Sequence, residues 1–232
     1  MDRSVKKSVS ERQSLGINNI VDFIRSNDNN NDKVMQFQCL RAKSLQRYLI
    51  DDAVRDDIHY ISKTYVVFDE EADMIVAYFS LRTACIIRNC IENRKNETLV
   101  DNIIPCIELA KLCVNEKYLN WLKENNYVCN GVGTYVFDMF IVPLIAVLTE
   151  FIGFLEVIIF AICDSEGKVV NAYRENMGFE TIEDDKDKIV SAFEDASIIV
   201  DKYSDGCIFM YMEVEEVIKK YEGGKNDVGV FE

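Results

Sequence analysis

Histidine, proline and closely spaced cysteine pairs are scarce in this chain of 232 residues. The only histidine is His59, and none of the eight cysteines stands in a Cys-x-x-Cys spacing, so no transition-metal site is expected. A single histidine in a polar stretch also leaves no basic partner to activate a nucleophilic cysteine. Two prolines and ten glycines exclude a fibrous or low-complexity chain. We interpret the cysteines as buried free thiols in a reducing compartment.

Long uninterrupted apolar runs are also missing. The most apolar stretch, 135–163, is broken by Asp138, Glu150 and Glu156, and its longest uncharged piece is the 11 residues 139–149. A membrane span needs about 20 apolar residues. The N-terminus, Met1-Asp-Arg-Ser, lacks the apolar core of a signal peptide. These absences favour a cytoplasmic protein whose length fits one large domain or two small ones.

Negative charge is abundant and unevenly spread. The formal net charge is −14. Residues 1–60 sum to +1, residues 61–163 to −5 and residues 164–232 to −10. A C-terminal third this acidic repels a phosphate backbone, so nucleic acid is disfavoured as a partner and a cationic acceptor such as an amine is favoured. The alternative is that the charge only keeps the protein in solution.

Periodicity and composition divide the chain into three parts. Residues 1–33 are predicted to form a polar N-terminal arm that is partly mobile, because the tract 26–32 has nothing to bury. A single domain is predicted over 34–213, followed by a C-terminal helix and tail over 214–232. The predicted strands are 34–37, 65–69, 74–85, 103–114, 155–162 and 207–213, the predicted helices are 42–54, 134–151, 168–177 and 214–221, and residues 86–102 read as polar and irregular.

Four segments between Pro105 and Phe179 lie in an order that predicts an anion site. A strand ends at Val114, a glycine turn Asn130-Gly-Val-Gly-Thr134 opens an apolar helix, a buried strand follows, and a short helix closes on Asn176-Met-Gly-Phe179. Backbone N–H groups at the start of a helix, together with the positive end of its dipole, attract phosphate. The plainer alternative is an ordinary turn into a helix.

This order resembles the GCN5-related N-acetyltransferase (GNAT) superfamily, whose pyrophosphate loop is Gln/Arg-x-x-Gly-x-Gly/Ala. The six matching positions read Val128-Cys-Asn-Gly-Val-Gly133, with both glycines present and Val128 in the place of Gln or Arg. The segment 105–114 is similar to the family's fourth strand, and 171–179 is similar to its closing helix. The resemblance covers about residues 34–213.

The resemblance implies an α/β (α+β) fold. Its sheet would be mixed and mostly antiparallel, with six or seven strands, a splayed parallel pair of central strands ending at Val114 and Ile162, and helices on both faces. It also implies acetyl-CoA as co-substrate, no metal, and direct acetyl transfer to an amine. The N-terminal half, through Phe37-Gln-Cys39, Thr64-Tyr-Val-Val67 and Ala77-Tyr-Phe-Ser-Leu81, is similar to a subgroup that includes aminoacyl-tRNA-acetylating toxins.

The same resemblance assigns roles to residues. A glutamate at the place of Glu108 acts as general base in one branch of the family; the alternative is a structural carboxylate. Tyr173 lies next to the place of the acid that protonates the thiolate, and the alternative is a core aromatic. The cofactor-binding residues it implies are Leu112, Cys113, Val114, Val128, Cys129, Asn130, Gly131, Val132, Gly133, Thr134, Asn171 and Arg174.

Three functions remain open from the sequence. The first is an N-acetyltransferase acting on a primary amine of a small molecule or protein. The second is a toxin-like enzyme that acetylates aminoacyl-tRNA, which would need Arg41, Lys43, Arg47 and Arg55 on one face. The third is a non-catalytic acyl-CoA-binding or interaction module. A homodimer and a partner of the antitoxin kind are both left open.

Overall fold

A computed structural model describes residues 7–8, 14–93, 98–162, 167–181 and 207–227. The described strands form one seven-stranded sheet in the order β1-β2-β3-β4-β5-β7-β6. The strands are β1 Leu15–Asn19, β2 Lys63–Asp69, β3 Met74–Asn93, β4 Thr98–Val114, β5 Glu156–Ile162, β6 Glu180–Thr181 and β7 Cys207–Glu213.

Helices lie between the strands, and three of them are continued directly by a π-helical segment. The helices are α1 Ile20–Ser26, α2 Asn30–Met35, α3 Lys43–Arg47, α4 Ala53–Ile58, α5 Glu116–Glu124, α6 Val132–Val136, α7 Val142–Leu148, α8 Lys168–Asn171 and α9 Val214–Asp227. The π-helical segments are Tyr48–Asp52, Phe137–Ile141 and Ala172–Met177. No helix within the described ranges is long and apolar enough to cross a membrane.

The pairing confirms a mixed, mostly antiparallel sheet. β4 and β5 are parallel, in register from Cys106↔Glu156 to Glu108↔Ile158. β5 is antiparallel to β7 over its whole length, from Glu156↔Glu213 to Ile162↔Cys207. β5 has a hydrogen-bonded neighbour on each side, and five of its seven residues are buried, as its mostly apolar sequence predicts.

The described residues divide into two compact units. The first takes its residues from 1–82 and 109–140, and the second from 83–108 and 141–232. The first has a core in which Phe37, Leu49 and Tyr78 are fully buried. The second has a cluster in which Ile86, Ile104, Cys106, Ile158 and Tyr211 pack together.

The predicted N-terminal boundary at residue 34 is wrong, because residues 15–33 are part of the first unit. β1 pairs with β2, from Leu15↔Asp69 to Asn19↔Tyr65. Asn19 caps α1 by accepting a hydrogen bond from the Val21 N–H at 3.0 Å. Ile20 and Phe23 are buried on the inner face of α1. The Asn30 amide donates to the Phe23 carbonyl at 2.7 Å, which uses a polar side chain to hold the loop.

Two local predictions are corrected. The strand predicted at 34–37 is wrong, because Val34 and Met35 are the last residues of helix α2 and residues 36–37 follow it outside any strand. Residues 86–93 and 98–102, predicted to be irregular, belong to β3 and β4.

The helix predicted at 134–151 is continuous from Val132 to Leu148 and contains one π-helical segment. Pro143 stands in the first turn of α7, directly after that segment, where a missing N–H is tolerated. The terminal helix α9 extends to Asp227, beyond the predicted end at residue 221.

Candidate functional site

The C-terminal end of β4 is fixed by a single buried asparagine. Asn115 donates from its side chain to the Ile75 carbonyl at 2.8 Å, and its backbone N–H donates to the Val76 carbonyl at 2.8 Å. Its Oδ1 accepts from the N–H of Lys117, which caps α5. The last residues of β4 therefore have a fixed position at the point where α5 begins.

The segment Gln38–Leu40 is tied to the same strand end. Gln38 donates its N–H to Asn115 Oδ1 at 3.2 Å and accepts from the Glu116 N–H at 2.9 Å. The N–H of Leu40 donates to Glu116 Oε1 at 2.9 Å. Sequence analysis missed these contacts between Gln38–Leu40 and the start of α5, although an asparagine directly before a helix is a recognisable capping signal.

The glycine turn has the backbone geometry that its two glycines suggest. Gly131 has φ +80°, in the left-handed region where a Cβ is strained, and precedes the first residue of α6. The first helical hydrogen bond runs from the Tyr135 N–H to the Gly131 carbonyl at 2.9 Å. The N–H groups ahead of it are therefore outside the helical ladder, as at any helix start.

The turn approaches the end of β4 closely. A Cβ placed on Gly133 would lie 3.7 Å from Cγ2 of Val114, whereas a Cβ placed on Gly131 would meet no atom within 4 Å. The absence of side chains at both glycines leaves room beside the strand end for a ligand that approaches the backbone. These residues fit a phosphate-bearing ligand whose chain continues along β4.

The predicted cofactor residues differ in exposure. Val132 and Cys113 are buried, whereas Leu112, Val114, Cys129, Gly133 and Thr134 are half-buried. Val128, Asn130 and Gly131 are exposed. The structure thus brings Gly133 of the turn beside Val114 at the end of β4, both in the first unit.

Glu108 is buried inside β4, where only 2% of it is exposed. It stands opposite Ile158 in the parallel register. A second buried carboxylate, Glu156 of β5, is paired with Cys106, which lies two residues before Glu108 in β4. Both belong to the second unit.

The closing helix forms as predicted and also lies in the second unit. Gly178 ends it with φ +84°. Tyr173 is half-buried, and its ring packs edge-on against Phe179 with centroids 5.8 Å apart. Arg174 donates to Thr181 Oγ1 at 2.9 Å, which ties the helix to β6. Asn171 is exposed on the same helix.

Comparisons with known proteins identify the fold. No family model and no curated protein matches the sequence. Solved structures do match at 11–14% identity: a complex of AtaTR with acetyl-CoA (TM-score 0.61, 14% identity, 89% of this chain and 97% of that chain), a mutant of KacT (0.57, 13%, 89% and 99%) and AtaT complexed with acetyl-methionyl-tRNAfMet (0.56, 11%, 88% and 98%). The chain has a GNAT fold. At this identity the likeness establishes the fold alone.

One pair of cysteines in the GNAT fold was missed by sequence analysis. Cys39, in the segment Gln38–Leu40, and Cys113, in β4, are both buried in the core of the first unit. The neighbouring Cys113 thiol lowers the pKa of Cys39 to about 7. The Cys39 thiol, together with burial, raises the pKa of Cys113. Cys39 is therefore the thiol of this pair that ionises first.

This pair predicts a pH-dependent stability. Because the fold lowers the pKa of Cys39 from 9.0 to about 7, the stabilisation is present above pH 9 and is lost as the pH falls through 7. Between about pH 6 and about pH 8.5, the unfolding free energy of the wild type should rise by about 1–2 kcal/mol more than that of Cys39→Ser. Urea unfolding across this range measures it. In Cys113→Ala, the thiolate absorbance of Cys39 should titrate near or above 9; an unchanged midpoint near 7 would contradict the assignment of the shift to Cys113.

One of the four basic residues in and near α3 and α4 already has acidic partners. Arg55 is ion-paired with Asp52 at 2.9 Å and with Asp56 at 3.1 Å. Arg41, Lys43 and Arg47 are exposed. The first unit carries 15 basic and 16 acidic residues, whereas the second carries 11 and 24. The net charge is therefore −1 in the first unit and −13 in the second.

Proposed function

We propose that the chain is an acetyl-CoA-dependent N-acetyltransferase that transfers the acetyl group directly to a primary amine. The observation that carries this proposal is the approach of Gly133 to the Val114 end of β4, within a GNAT fold. A solved structure of the same fold contains acetyl-CoA. The reduced thiols and acetyl-CoA both suit a cytoplasmic location.

Backbone groups supply most of the binding in this proposal. The amides of 129–134 hold the diphosphate, with Thr134 adding its hydroxyl, and the backbone of Leu112–Val114 aligns the pantetheine arm. Asn171 and Arg174 are further candidates for contact with the cofactor. Because Arg174 already donates to Thr181, its first role is to fix the closing helix.

The transfer requires three tasks of the chain. Acetyl-CoA supplies an acyl group already activated as a thioester. The N–H of Cys113 or Val114 donates to the carbonyl oxygen and stabilises the charge that develops there. A base removes a proton from the amine as its nitrogen bonds to the carbonyl carbon, and an acid protonates the sulfur as the carbon–sulfur bond breaks.

Glu108 is the proposed base. The resemblance gives this role to the place of Glu108, whose side chain is buried in β4. Tyr173 is the proposed acid, and its half-buried position keeps part of the ring accessible. The KacT structure is that of a tyrosine-to-phenylalanine mutant.

A second acceptor class is favoured by one observation. Arg41, Lys43 and Arg47 are exposed in a unit that is nearly neutral, so the overall acidity does not exclude a phosphate-bearing acceptor there. The AtaT complex with acetyl-methionyl-tRNAfMet has the same fold. Aminoacyl-tRNA is thus the second candidate, carrying the amine on an aminoacyl group.

Release of free thiol from acetyl-CoA tests the proposal. The assay would offer small amines, polyamines, amino acids, lysine peptides and aminoacyl-tRNA, each compared with a reaction without acceptor. Release that depends on one amine class, with the acetylated product seen by mass spectrometry, is expected. Acetyl-CoA binding without release for any acceptor would favour the non-catalytic acyl-CoA-binding module. Failure to bind acetyl-CoA would remove the basis of both.

A further inference from the structure

The N-terminal segment Lys7–Ser8 lies directly beside the entrance to the glycine turn. Lys7 forms a parallel bridge with Tyr127. The Val128 N–H donates to the Lys7 carbonyl at 2.9 Å. A segment more than a hundred residues away in sequence is thereby attached to the first position of the Val128–Gly133 loop. The side chain of Lys7 is exposed.

Position 128 is where this loop departs from the family pattern. The usual Gln or Arg would present a donor to the phosphates, whereas the side chain of Val128 is aliphatic and 39% exposed. Its backbone N–H is also committed, because it donates to Lys7. This position therefore offers the diphosphate neither a side-chain donor nor a backbone N–H. In the family pattern, the Gln or Arg at this position supplies a side-chain donor.

The lysine that replaces it in space is supplied by the bridge itself. The Lys7 and Tyr127 backbones are joined by an isolated β-bridge, and backbones paired in this way lie about 5 Å apart. A lysine ammonium stands on a flexible four-carbon stem with three donors, so it can reach a phosphate bound beside the backbone with which the lysine is paired. Lysine binds phosphate as a point charge and needs no fixed orientation to do so.

We propose that Lys7 provides the cationic contact to the diphosphate of acetyl-CoA that residue 128 no longer provides. This inference rests on the proposed function, because it assigns a residue to the same cofactor site. Lys7 is a binding residue here and takes no part in the chemistry. The N-terminal segment is then part of the cofactor site, and its attachment through Val128 places it there.

The test compares two ligands and four variants of the full chain by calorimetry. The ligands are acetyl-CoA and S-acetylpantetheine, which carries the thioester arm without phosphate. Lys7→Ala should weaken acetyl-CoA binding about tenfold, as expected for one charged contact near the surface, and leave S-acetylpantetheine unchanged. Lys7→Arg should retain the wild-type affinity. Arg25→Ala removes an exposed cation of α1, in the same unit, and should change neither affinity.

A fourth variant tests the compensation directly. Val128→Arg combined with Lys7→Ala restores the family's cation at its usual position and should recover most of the lost affinity. The backbone bond to Val128 uses the carbonyl of residue 7, so Lys7→Ala retains it. Equal acetyl-CoA affinity in Lys7→Ala and wild type, or equal loss for both ligands, would overturn the inference while leaving the proposed function standing. A wild type that does not bind acetyl-CoA would overturn both.

Discussion

Gly133→Glu is expected to weaken acetyl-CoA binding by at least about 100-fold, equivalent to about 2.7 kcal/mol. A side chain at this position starts 3.7 Å from Val114 and so occupies the space between the turn and the end of β4. Its carboxylate would also oppose the diphosphate, and two like charges about 4 Å apart repel by about 4 kcal/mol at an effective dielectric constant of about 20. Calorimetric titration measures the loss.

Two companion variants separate blockage from unfolding. The backbone of Gly133 is not in the left-handed region, and its Cβ would make an ordinary contact, so Gly133→Ala should fold normally and bind acetyl-CoA with a loss of about tenfold or less. Gly153→Glu places the same carboxylate where a Cβ meets no atom within 4 Å, and should bind like the wild type. Retention of full affinity by a folded Gly133→Glu protein would exclude the turn as the phosphate site.

Glu108→Gln should lower kcat by about 100- to 1,000-fold with the best acceptor of the amine panel. Glutamine keeps the size of the side chain but cannot accept the amine proton. The affinity for acetyl-CoA should remain within about threefold of the wild type, because Glu108 lies away from the backbone groups proposed to hold the cofactor. Steady-state rates of thiol release, together with calorimetry, separate the two effects.

Glu156→Gln is the matched control for that substitution. Glu156 is also a buried carboxylate of the second unit, one strand away, with 4% exposed. If burial of a carboxylate alone were the reason for the loss, both variants would lose activity equally. We expect Glu156→Gln to retain kcat within about tenfold. Loss of affinity rather than kcat in Glu108→Gln would assign Glu108 a structural role.

The sequence predicts strand β5 and the glycine turn well because their signals are local. Strand β5 is apolar at every position after Glu156, and it is paired with β4 and β7. The two glycines mark a turn whose backbone needs them: Gly131 has a positive φ, and Gly133 faces Val114. Helix α3 and the hairpin of β2 and β3 likewise follow from periodicity.

The failures concern residues whose roles depend on distant partners. The asparagine-rich tract around Asn30 is predicted to be mobile, yet the Asn30 side chain is buried and donates to the Phe23 carbonyl. Cys39 and Cys113 are 74 positions apart, so no spacing rule reveals that they belong to the same core cluster. Lys7 stands in a polar arm, and only the pairing with Tyr127 brings it to the loop. Tertiary contacts of this kind carry no local sequence signal.

Amide hydrogen exchange with and without acetyl-CoA tests the central claim most directly, since it reports both binding and place. We expect the backbone amides of 129–134 and 112–114 to exchange at least about tenfold more slowly when acetyl-CoA is present, with α1 unchanged. S-acetylpantetheine should protect 112–114 and leave 129–134 as they were. Protection confined to other segments, or none at saturating acetyl-CoA, would contradict the assignment of this turn and strand end to the cofactor.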